Sequence, residues 1–472
     1  MLHALEPSKA ALLNRPHLYK LDDDMLELVI AMDLDDVPGG WSGRFRQQRV
    51  IQLASISRYI RHVIIKRGSF WGSIWCTPAT RVELVALALR RSGRARLSIT
   101  LDDSGAQIGT LSPQWYSNVR TVLHHINRAG TFRVAVVPHG REHGSIMRSM
   151  PAQVAQWTPA PYLCKLEITG LSESDLLMII GPALEELNLA EMTISAPAFQ
   201  QALMAAPRLR VLNMIFLRLT EVTRVQPPVN TVGLRIANMT IKLGQQQTTS
   251  KFIHTTLSTA VSTAREVFLD CNNHVDDATL VSQLLTGKMP SGDATLDVAG
   301  DDIVFAMAFD DGRRRVFTGL VMPPRSTWLL FSQATVINVR CDVSKRGFEF
   351  FATFCMLAEC SLPSVRTMTV DVHMAQVGLL GNPASGLAIH LMTLPALEKL
   401  TIRLHREPSP DGQFRPIFSP APRNIGRFCV ALVDVIRVSH KVELRLGMHR
   451  VPKVLVAANE AAEGRYEFQA AD

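Results

Sequence analysis

The chain has 472 residues and a formal net charge of +8, and 47% of its residues are apolar. This composition is typical of a folded globular protein and excludes a chain that is disordered throughout. The length is sufficient for two or three domains. The sequence has no charged-then-apolar signal pattern and no apolar run near ~18 residues, so we expect no membrane partner.

The seven cysteines are scattered along the chain and include no Cys-x-x-Cys pair. An odd count with irregular spacing is typical of a reduced intracellular protein and not of a secreted disulfide scaffold. We therefore expect a cytoplasmic or nuclear location.

Charge is distributed unevenly along the chain. Residues 1–40 carry three basic and eight acidic side chains, whereas residues 41–100 carry twelve basic side chains and a single acid, Glu83. Such a basic block can bind nucleic acid, an anionic membrane or an acidic protein, but it is equally compatible with a solvated helix face. The basic residues of 90–96 have no aromatic residues between them, which disfavours a nucleic acid partner.

Two amphipathic helices are predicted near the N-terminus. The first follows three aspartates at 22–24, which suit the positive end of a helix dipole, and its apolar residues at helical spacing are Met25, Leu26, Val29 and Ile30. The second is expected from about residue 46 to residue 67, with an apolar stripe formed by Val50, Leu53, Ala54, Ser57, Ile60 and Ile64. A packed helical domain without further function would show the same pattern.

The stretch from Leu21 to Ile74 combines these helices with a particular order of residues. The residues that define this order are, first, Leu21, Asp24, Met25-Leu26 and Val29-Ile30, and then Arg58, Arg61 and Phe70-Trp71-Gly72-Ser73-Ile74. Residues 83–93 then form a leucine-rich helix that ends in Arg-Ser-Gly, and 97–101 alternate as a strand does. This order resembles the F-box of fungal F-box proteins, with Asp22, Ser57 and Ile60 in place of its proline, cysteine and tryptophan.

The resemblance implies that residues 18–75 form a module that docks a Skp-type adaptor, which in turn links to a cullin–RING ubiquitin ligase. A basic block at 44–67 would suit an acidic adaptor and speed the encounter. The residues that would make the docking contacts are Leu21, Met25, Leu26, Val29, Ile56, Arg58, Ile60 and Trp71.

One pattern, apolar-x-x-apolar-x-apolar, returns from residue 163 onward. Its members, some of them partial, are Leu163-Leu166-Ile168, Leu184-Leu187-Leu189, Leu209-Leu212-Met214, Leu234-Ile236, Val267-Leu269, Leu296-Val298, Ile337-Val339, Val365-Met368-Val370, Leu397-Leu400-Ile402 and Val442-Leu444-Leu446. Each is predicted to be a short strand. The pattern resembles leucine-rich repeats of irregular length.

Helical segments are expected between these strands. Ser172 to Asp175 reads as a capping box, and further helices are predicted at 199–206, 252–264, 279–285, 348–359 and 387–393. Prolines 207, 363 and 395 stop a helix and lead into a strand. Stacked units of this kind form a parallel sheet with helices on the convex side, although an ordinary α/β domain also alternates strands and helices.

The predicted organisation is therefore an α/β chain in four parts. The F-box-like module spans 18–75, a connecting α/β segment 76–150, a leucine-rich-repeat-like solenoid 151–455 and a C-terminal tail 456–472. A β-hairpin near 303–321, with a turn at Asp310-Asp311-Gly312, is expected to project from the solenoid. Arg313-Arg314-Arg315 beside this turn would lie on a solvated edge or contact a partner.

Motifs that carry chemistry are not found. The sequence has no Gly-rich nucleotide loop, no His-Glu-x-x-His and no Gly-x-Ser-x-Gly, and neither His124-His125 nor Cys355 with Cys360 has the spacing of joint metal ligands. We therefore expect no catalytic residue, no metal and no cofactor. The favoured hypothesis is a substrate-recognition adaptor of an SCF-type ligase that holds an unknown protein substrate. The alternatives are a repeat scaffold whose F-box no longer docks, and an enzyme whose site uses no known motif.

Overall fold

The chain is described by a computed structural model, which forms two compact units, residues 1–236 and 237–472. The residues that the structure describes are 21–35, 42–103, 113–135, 160–220, 235–242, 257–270, 294–299, 302–318, 334–340, 362–373, 393–405, 421–436, 442–447 and 451–471. The predicted helices at 279–285 and 348–359 lie outside these ranges, as does the helix at 387–393 except for its last residue.

The chain is mixed α/β, as predicted. Six described strands of the N-terminal unit form a parallel sheet, ten strands of the C-terminal unit form a mostly parallel one, and two short strands form a further parallel pair. The two compact units are described separately below, beginning with the N-terminal one.

The N-terminal unit begins with helices. These are α1 (Asp23–Asp35), α2 (Ser42–Ile56), α3 (Arg58–Lys66) and a 3₁₀ helix (Gly68–Trp71). The single helix predicted from 46 to 67 was wrong, because the chain breaks at Ser57. The Ser57 side chain accepts a hydrogen bond from the backbone N–H of Ile60 and so starts a new helix.

Strands and helices alternate through the rest of this unit. The strands are β1 (Ser73–Cys76), β2 (Leu97–Asp102), β3 (Ala129–Ala135), β4 (Lys165–Thr169), β5 (Glu186–Ala190), β6 (Thr193–Ser195), β7 (Val211–Ile215) and β8 (Arg218–Thr220). The helices are α4 (Val82–Arg91), α5 (Pro113–Leu123), a 3₁₀ helix (Ile126–Arg128), α6 (Glu173–Ile179) and α7 (Ala196–Ala205). The order β1-β2-β3-β4-β5-β7 is parallel throughout, and β6 pairs with β8.

The C-terminal unit continues with ten described strands. These are β9 (Asn238–Lys242), β10 (Glu266–Asp270), β11 (Thr295–Ala299), β12 (Asp302–Ala308), β13 (Arg314–Thr318), β14 (Val336–Arg340), β15 (Thr367–His373), β16 (Lys399–His405), β17 (Glu443–Gly447) and β18 (Phe468–Ala470). The described helices are α8 (Ser258–Thr263), α9 (Pro422–Ile436) and α10 (Val451–Ala462). The strand order is β9-β10-β13-β12-β11-β14-β15-β16-β17-β18.

The predicted strand pattern is present with its register. Leu166 of β4 aligns with Leu187 of β5, which aligns with Leu212 of β7, and all three side chains are buried. In the C-terminal unit Met368 aligns with Leu400 in the same way. One strand was misplaced: the pattern at Leu234-Ile236 lies before β9, which spans 238–242.

Three strands of the N-terminal unit, β4, β5 and β7, are each followed by a residue with a positive φ angle. Gly170, Glu191 and Phe216 follow β4, β5 and β7 directly and have φ angles of +74°, +50° and +52°. The backbone N–H of Gly170 bonds to the carbonyl of Ala190, and that of Glu191 bonds to the carbonyl of Ile215. The three segments are therefore structural repeats, in which the left-handed residue turns the chain away from the sheet.

The predicted hairpin forms, but it does not project. β12 and β13 are antiparallel around Gly312, and they are inserted in the sheet between β11 and β10. Arg315 is correspondingly buried and donates hydrogen bonds to the carbonyls of Val261 and Ala264 at the end of α8. Burial lowers the pKa of Arg315 to about 10, with a further contribution from Arg313. The prediction of a solvated arginine edge was wrong for this residue.

Residues 456–472, predicted as a tail, also contribute to the sheet. The chain leaves α10 and adds β18 beside β17. The Asn459 side chain donates to the carbonyl of Phe468 and accepts from its N–H, so it satisfies backbone groups of this strand. An unpaired strand edge is a template for aggregation, and this amide covers part of it.

Replacement of Gly170 by Ala tests the left-handed repeat position. A Cβ at positive φ is unfavourable, so we expect Gly170→Ala to lower the free energy of unfolding by about 1 kcal/mol in urea titrations. Gly130→Ala is the matched control, because Gly130 lies in β3 and its added Cβ would meet only ordinary contacts at 3.8 Å or more. Equal destabilisation by both substitutions would contradict the role of the backbone angle.

Candidate partner-binding surfaces

The N-terminus of α1 is fixed by local hydrogen bonds. The Asp22 carboxylate accepts from the backbone N–H of Met25 at 2.8 Å, and Asp23 and Asp24 lie in the first turn, where carboxylates interact favourably with the helix dipole. The Tyr59 hydroxyl on α3 donates to the carbonyl of Leu21 at 2.9 Å. The position where the helix begins is therefore set by both sequence and packing.

Ion pairs hold α1 against α2 and α3. Arg49 forms a two-pronged pair with Asp33 at 2.7 and 2.8 Å, and Arg67 pairs with Glu27. These side chains are partly exposed, so each pair contributes no more than about 1 kcal/mol. They link α1 to α2 and to the residue that follows α3.

The inward face of α1 is apolar. Leu26, Ile30 and Leu34 are each at most 4% exposed, and α1 contacts both α2 and α3. Their spacing of four residues places them along one side of the helix. This side supplies the core of the helical module.

The outward face of α1 is apolar as well. Met25, Leu28, Val29 and Met32 are exposed by 49%, 55%, 40% and 65%. Their spacing of three and four residues forms one continuous strip, which we call the α1 stripe. Single exposed apolar residues are ordinary, but a contiguous strip of this kind is a candidate surface for a partner.

The structure divides the predicted docking residues into three groups. Leu26, Ile60 and Trp71 are buried in the module; Leu21 and Ile56 are half-buried; Met25, Val29 and Arg58 are exposed. Trp71 donates its indole N–H to the carbonyl of Ile64, and the Arg91 guanidinium lies 4.7 Å from its ring centre. The buried residues therefore build the module and present no surface to a partner.

Sequence reasoning missed part of the exposed surface. Leu28 and Met32 belong to the α1 stripe, and Phe45 of α2 is 47% exposed. The helical spacing from Met25 would have identified Leu28 and Met32, because i+3 and i+7 share a face with i and i+4. Phe45 offered no comparable signal, since its exposure depends on how α2 packs.

A second surface is the half-exposed face of the sheet in the N-terminal unit. Along β4, β5 and β7, buried residues alternate with half-exposed ones. Glu167, Asn188 and Asn213 lie in register on the half-exposed side, and the Asn213 amide donates to the Asn188 side chain. Arg133 pairs with Glu167 at 3.0 Å. Polar groups thus form a ladder across neighbouring strands.

The same ladder contains an ion pair at the N-terminal ends of the strands. Lys165 lies 2.7 Å from Glu186, and the Asn188 amide donates to the same carboxylate at 2.9 Å. Burial acts to raise the pKa of Glu186, but the hydrogen bonds from Lys165 and Asn188 outweigh it and lower the pKa below its ordinary value. This edge of the face therefore carries fixed, paired charges.

The described part of the chain contains buried cysteines but no candidate metal site. No cluster of three His, Cys, Asp or Glu side chains there could hold a metal ion. Burial raises the pKa of the Cys76 and Cys429 thiols to about 12, so neither is a reactive thiolate at neutral pH.

Comparisons with known proteins give no match: no family model fits the chain, and no curated protein is significantly similar to it. Within the ranges that the structure describes, no helix combines the length and the apolar character needed to cross a membrane. The F-box resemblance consequently rests on the residues of the chain alone.

The lowered pKa of Glu186 predicts a pH-dependent contribution to stability. A depressed folded-state pKa stabilises the protein above the ordinary carboxyl value of 4.5, and this stability is lost as the pH falls through the folded-state pKa. The free-energy difference between the wild type and Glu186→Gln, measured in urea, should therefore shrink as the pH falls below 4.5 and through the lower folded-state pKa. We expect at most about 1 kcal/mol, because the pair is partly exposed.

The partner of Glu186 supplies the control for this measurement. In a Lys165→Met background, Glu186→Gln should cost less and depend less on pH, since the main hydrogen-bond donor is gone. A difference that grows as the pH falls would contradict the assignment.

Proposed function

We propose that the chain is a substrate-recognition adaptor of an SCF-type cullin–RING ubiquitin ligase. The α1 stripe is the observation that carries the proposal, because it lies on the helix that corresponds to the beginning of the F-box. In the proposal Met25, Leu28, Val29 and Met32 dock a Skp-type adaptor. Burying an exposed side chain of this kind contributes roughly 1.5–3 kcal/mol when burial is complete, so four are sufficient for a specific contact.

The sheet supports the second half of the proposal. In doubly wound α/β domains, parallel strands are covered on both faces and read as continuous apolar runs. Here the parallel strands β4, β5 and β7 bury alternate residues only, as strands do when helices cover a single face. This favours a leucine-rich-repeat-like solenoid, whose half-exposed face would hold the protein substrate.

The proposed mechanism is proximity. The chain would carry no chemistry of its own and would raise the concentration of its substrate near the ligase. A cytoplasmic or nuclear location belongs to this proposal, and it agrees with three described cysteines that are free.

The burial of three predicted docking residues favours one alternative. Leu26, Ile60 and Trp71 serve the core of the module, and a helical module stabilised in this way needs no adaptor. The chain would then be a repeat scaffold for protein interactions whose F-box-like module has lost its partner.

A pulldown with a purified Skp-type adaptor separates the two functions. Met25→Asp together with Val29→Asp places two charges on the α1 stripe without touching the buried face, and we expect at least a tenfold loss of captured adaptor. Circular dichroism should show an unchanged fold, since both side chains are exposed.

The matched control places the same charges elsewhere in the same unit. Met178 on α6 and Met204 on α7 are also exposed, by 38% and 69%, so Met178→Asp with Met204→Asp should leave capture unchanged. An adaptor that does not bind the wild type, or that binds the stripe variant equally well, would favour the scaffold alternative.

A further inference from the structure

A cluster of arginines surrounds the loop that joins α4 to β2. Arg90, Arg94 and Arg96 are exposed, and Arg91 and Arg128 are half-exposed. We call these five side chains the arginine cluster. The tight turn at its centre has Gly93 at φ +55°.

The described carboxylates leave this cluster unneutralised. Some described arginines elsewhere in the chain are paired: Arg133 with Glu167, Arg445 with Glu443 and Arg49 with Asp33. None of the five cluster arginines forms an ion pair with a described carboxylate. Neighbouring like charges without partners destabilise the folded chain, so their accumulation indicates an anionic partner.

The loop is held rigidly by its neighbours. Arg128 donates to the Ser92 hydroxyl at 2.7 Å and to the carbonyl of Ala95 at 3.1 Å, and the Ser92 hydroxyl donates to the carbonyl of Leu89. A Cβ at Gly68 would lie 2.5 Å from the Ser92 carbonyl oxygen, so only glycine permits this close approach. The guanidinium groups around the loop are therefore presented from a fixed backbone.

Two aromatic rings orient arginines of the cluster. The Arg91 guanidinium lies 4.7 Å from the centre of the buried Trp71 ring, and that of Arg96 lies 5.8 Å from the centre of the exposed Tyr162 ring. A guanidinium held near a ring face by a cation–π interaction can still donate hydrogen bonds to a carboxylate. The pKa of the nearby His125 is lowered, mainly by burial. The charges of Arg128 and His124 lower it further, which is consistent with a positive local potential.

We propose that the arginine cluster binds an acidic segment of a partner protein, a run of Asp and Glu side chains. This proposal deepens the proposed function. It rests on that function for one point, namely that the partner is the substrate which the chain captures. Arginine forks match carboxylates in bidentate geometry, and several such pairs in a row confer specificity as well as affinity. The acidic segment would supply the carboxylates that the chain itself does not place beside these arginines.

The geometry favours a peptide over a single-stranded nucleic acid. Sequence-tolerant binding of single strands uses several aromatic rings on which successive bases stack. The exposed ring of Tyr162 lies beside this cluster, and Arg96 already lies over it. Charge pairing rather than stacking is therefore the contact available here.

The test uses the full chain and a short fluorescein-labelled peptide of alternating Glu and Ser, measured by fluorescence anisotropy. The wild type should bind it, with affinity that falls as salt is raised, and should not bind the same peptide with Gln in place of Glu. Arg94→Glu with Arg96→Glu should weaken binding by about a hundredfold, which is about tenfold for each lost arginine. Arg94→Gln alone, which alters no described contact, should weaken it by about tenfold.

Arg208→Glu with Arg210→Glu is the matched control. These arginines are exposed before β7, four strand spacings or roughly 19 Å from β2, and their replacement should leave peptide binding unchanged. Three results would overturn the proposal: no binding by the wild type, equal weakening by the control, or tighter binding of a labelled oligouridine of the same length. The last result would assign the cluster to nucleic acid.

Failure of this proposal is distinguishable from failure of the proposed function. The anisotropy measurement contains no adaptor, and the adaptor pulldown contains no peptide. Arg94→Glu with Arg96→Glu should capture the Skp-type adaptor as the wild type does, because the α1 stripe is unchanged. Peptide binding without adaptor capture would leave the acidic-segment site in place and remove the ligase function.

Discussion

The constraint on which the described fold depends is the alternation of buried and half-exposed residues along parallel strands. Leu166, Leu187 and Leu212 align from strand to strand, so one set of side chains forms a continuous buried layer. A shift by one residue would turn this layer to solvent and bury Glu167 instead. The register is therefore strongly specified by burial, and the polar ladder on the other face follows from it without a separate cause.

The same constraint explains how the irregular segments are accommodated. The hairpin of β12 and β13 enters the sheet because Phe305 and Phe317 supply buried residues at matching positions. The cation that this brings inside, Arg315, is tolerated because helix carbonyls accept its hydrogen bonds. Segments that interrupt the repeat thus remain in the sheet wherever they can fill its buried layer and satisfy their polar groups.

Local patterns predicted most of the strands, and the α1 helix and the capping box at Ser172 were also found from sequence. What could not be predicted depends on partners distant in sequence. The break at Ser57 follows from its side chain capping a new helix, although the apolar stripe continues across it. The hairpin was recognised, but its place between β10 and β11 depends on pairings that no local pattern encodes.

The candidate surfaces show the same limit. Met25 and Val29 are exposed and Leu26 is buried because of the direction in which α1 packs against α2 and α3, and the local sequence does not encode that direction. The basic composition of 90–96 was visible in the sequence, whereas its lack of paired carboxylates and the ring of Tyr162 beneath Arg96 were not. Composition predicted the positive charge of this segment, but the surroundings of its side chains could be read only from the fold.

The two proposed surfaces are joined by described contacts within one unit. Arg67 pairs with Glu27 of α1, the next residue, Gly68, lies against the carbonyl of Ser92, and the Ser92 hydroxyl accepts from Arg128. A partner on the α1 stripe and one on the arginine cluster would therefore be held by the same short series of packed residues. An adaptor that works by proximity gains from this, because a rigid connection between its two sites keeps the substrate at a constant distance from the ligase.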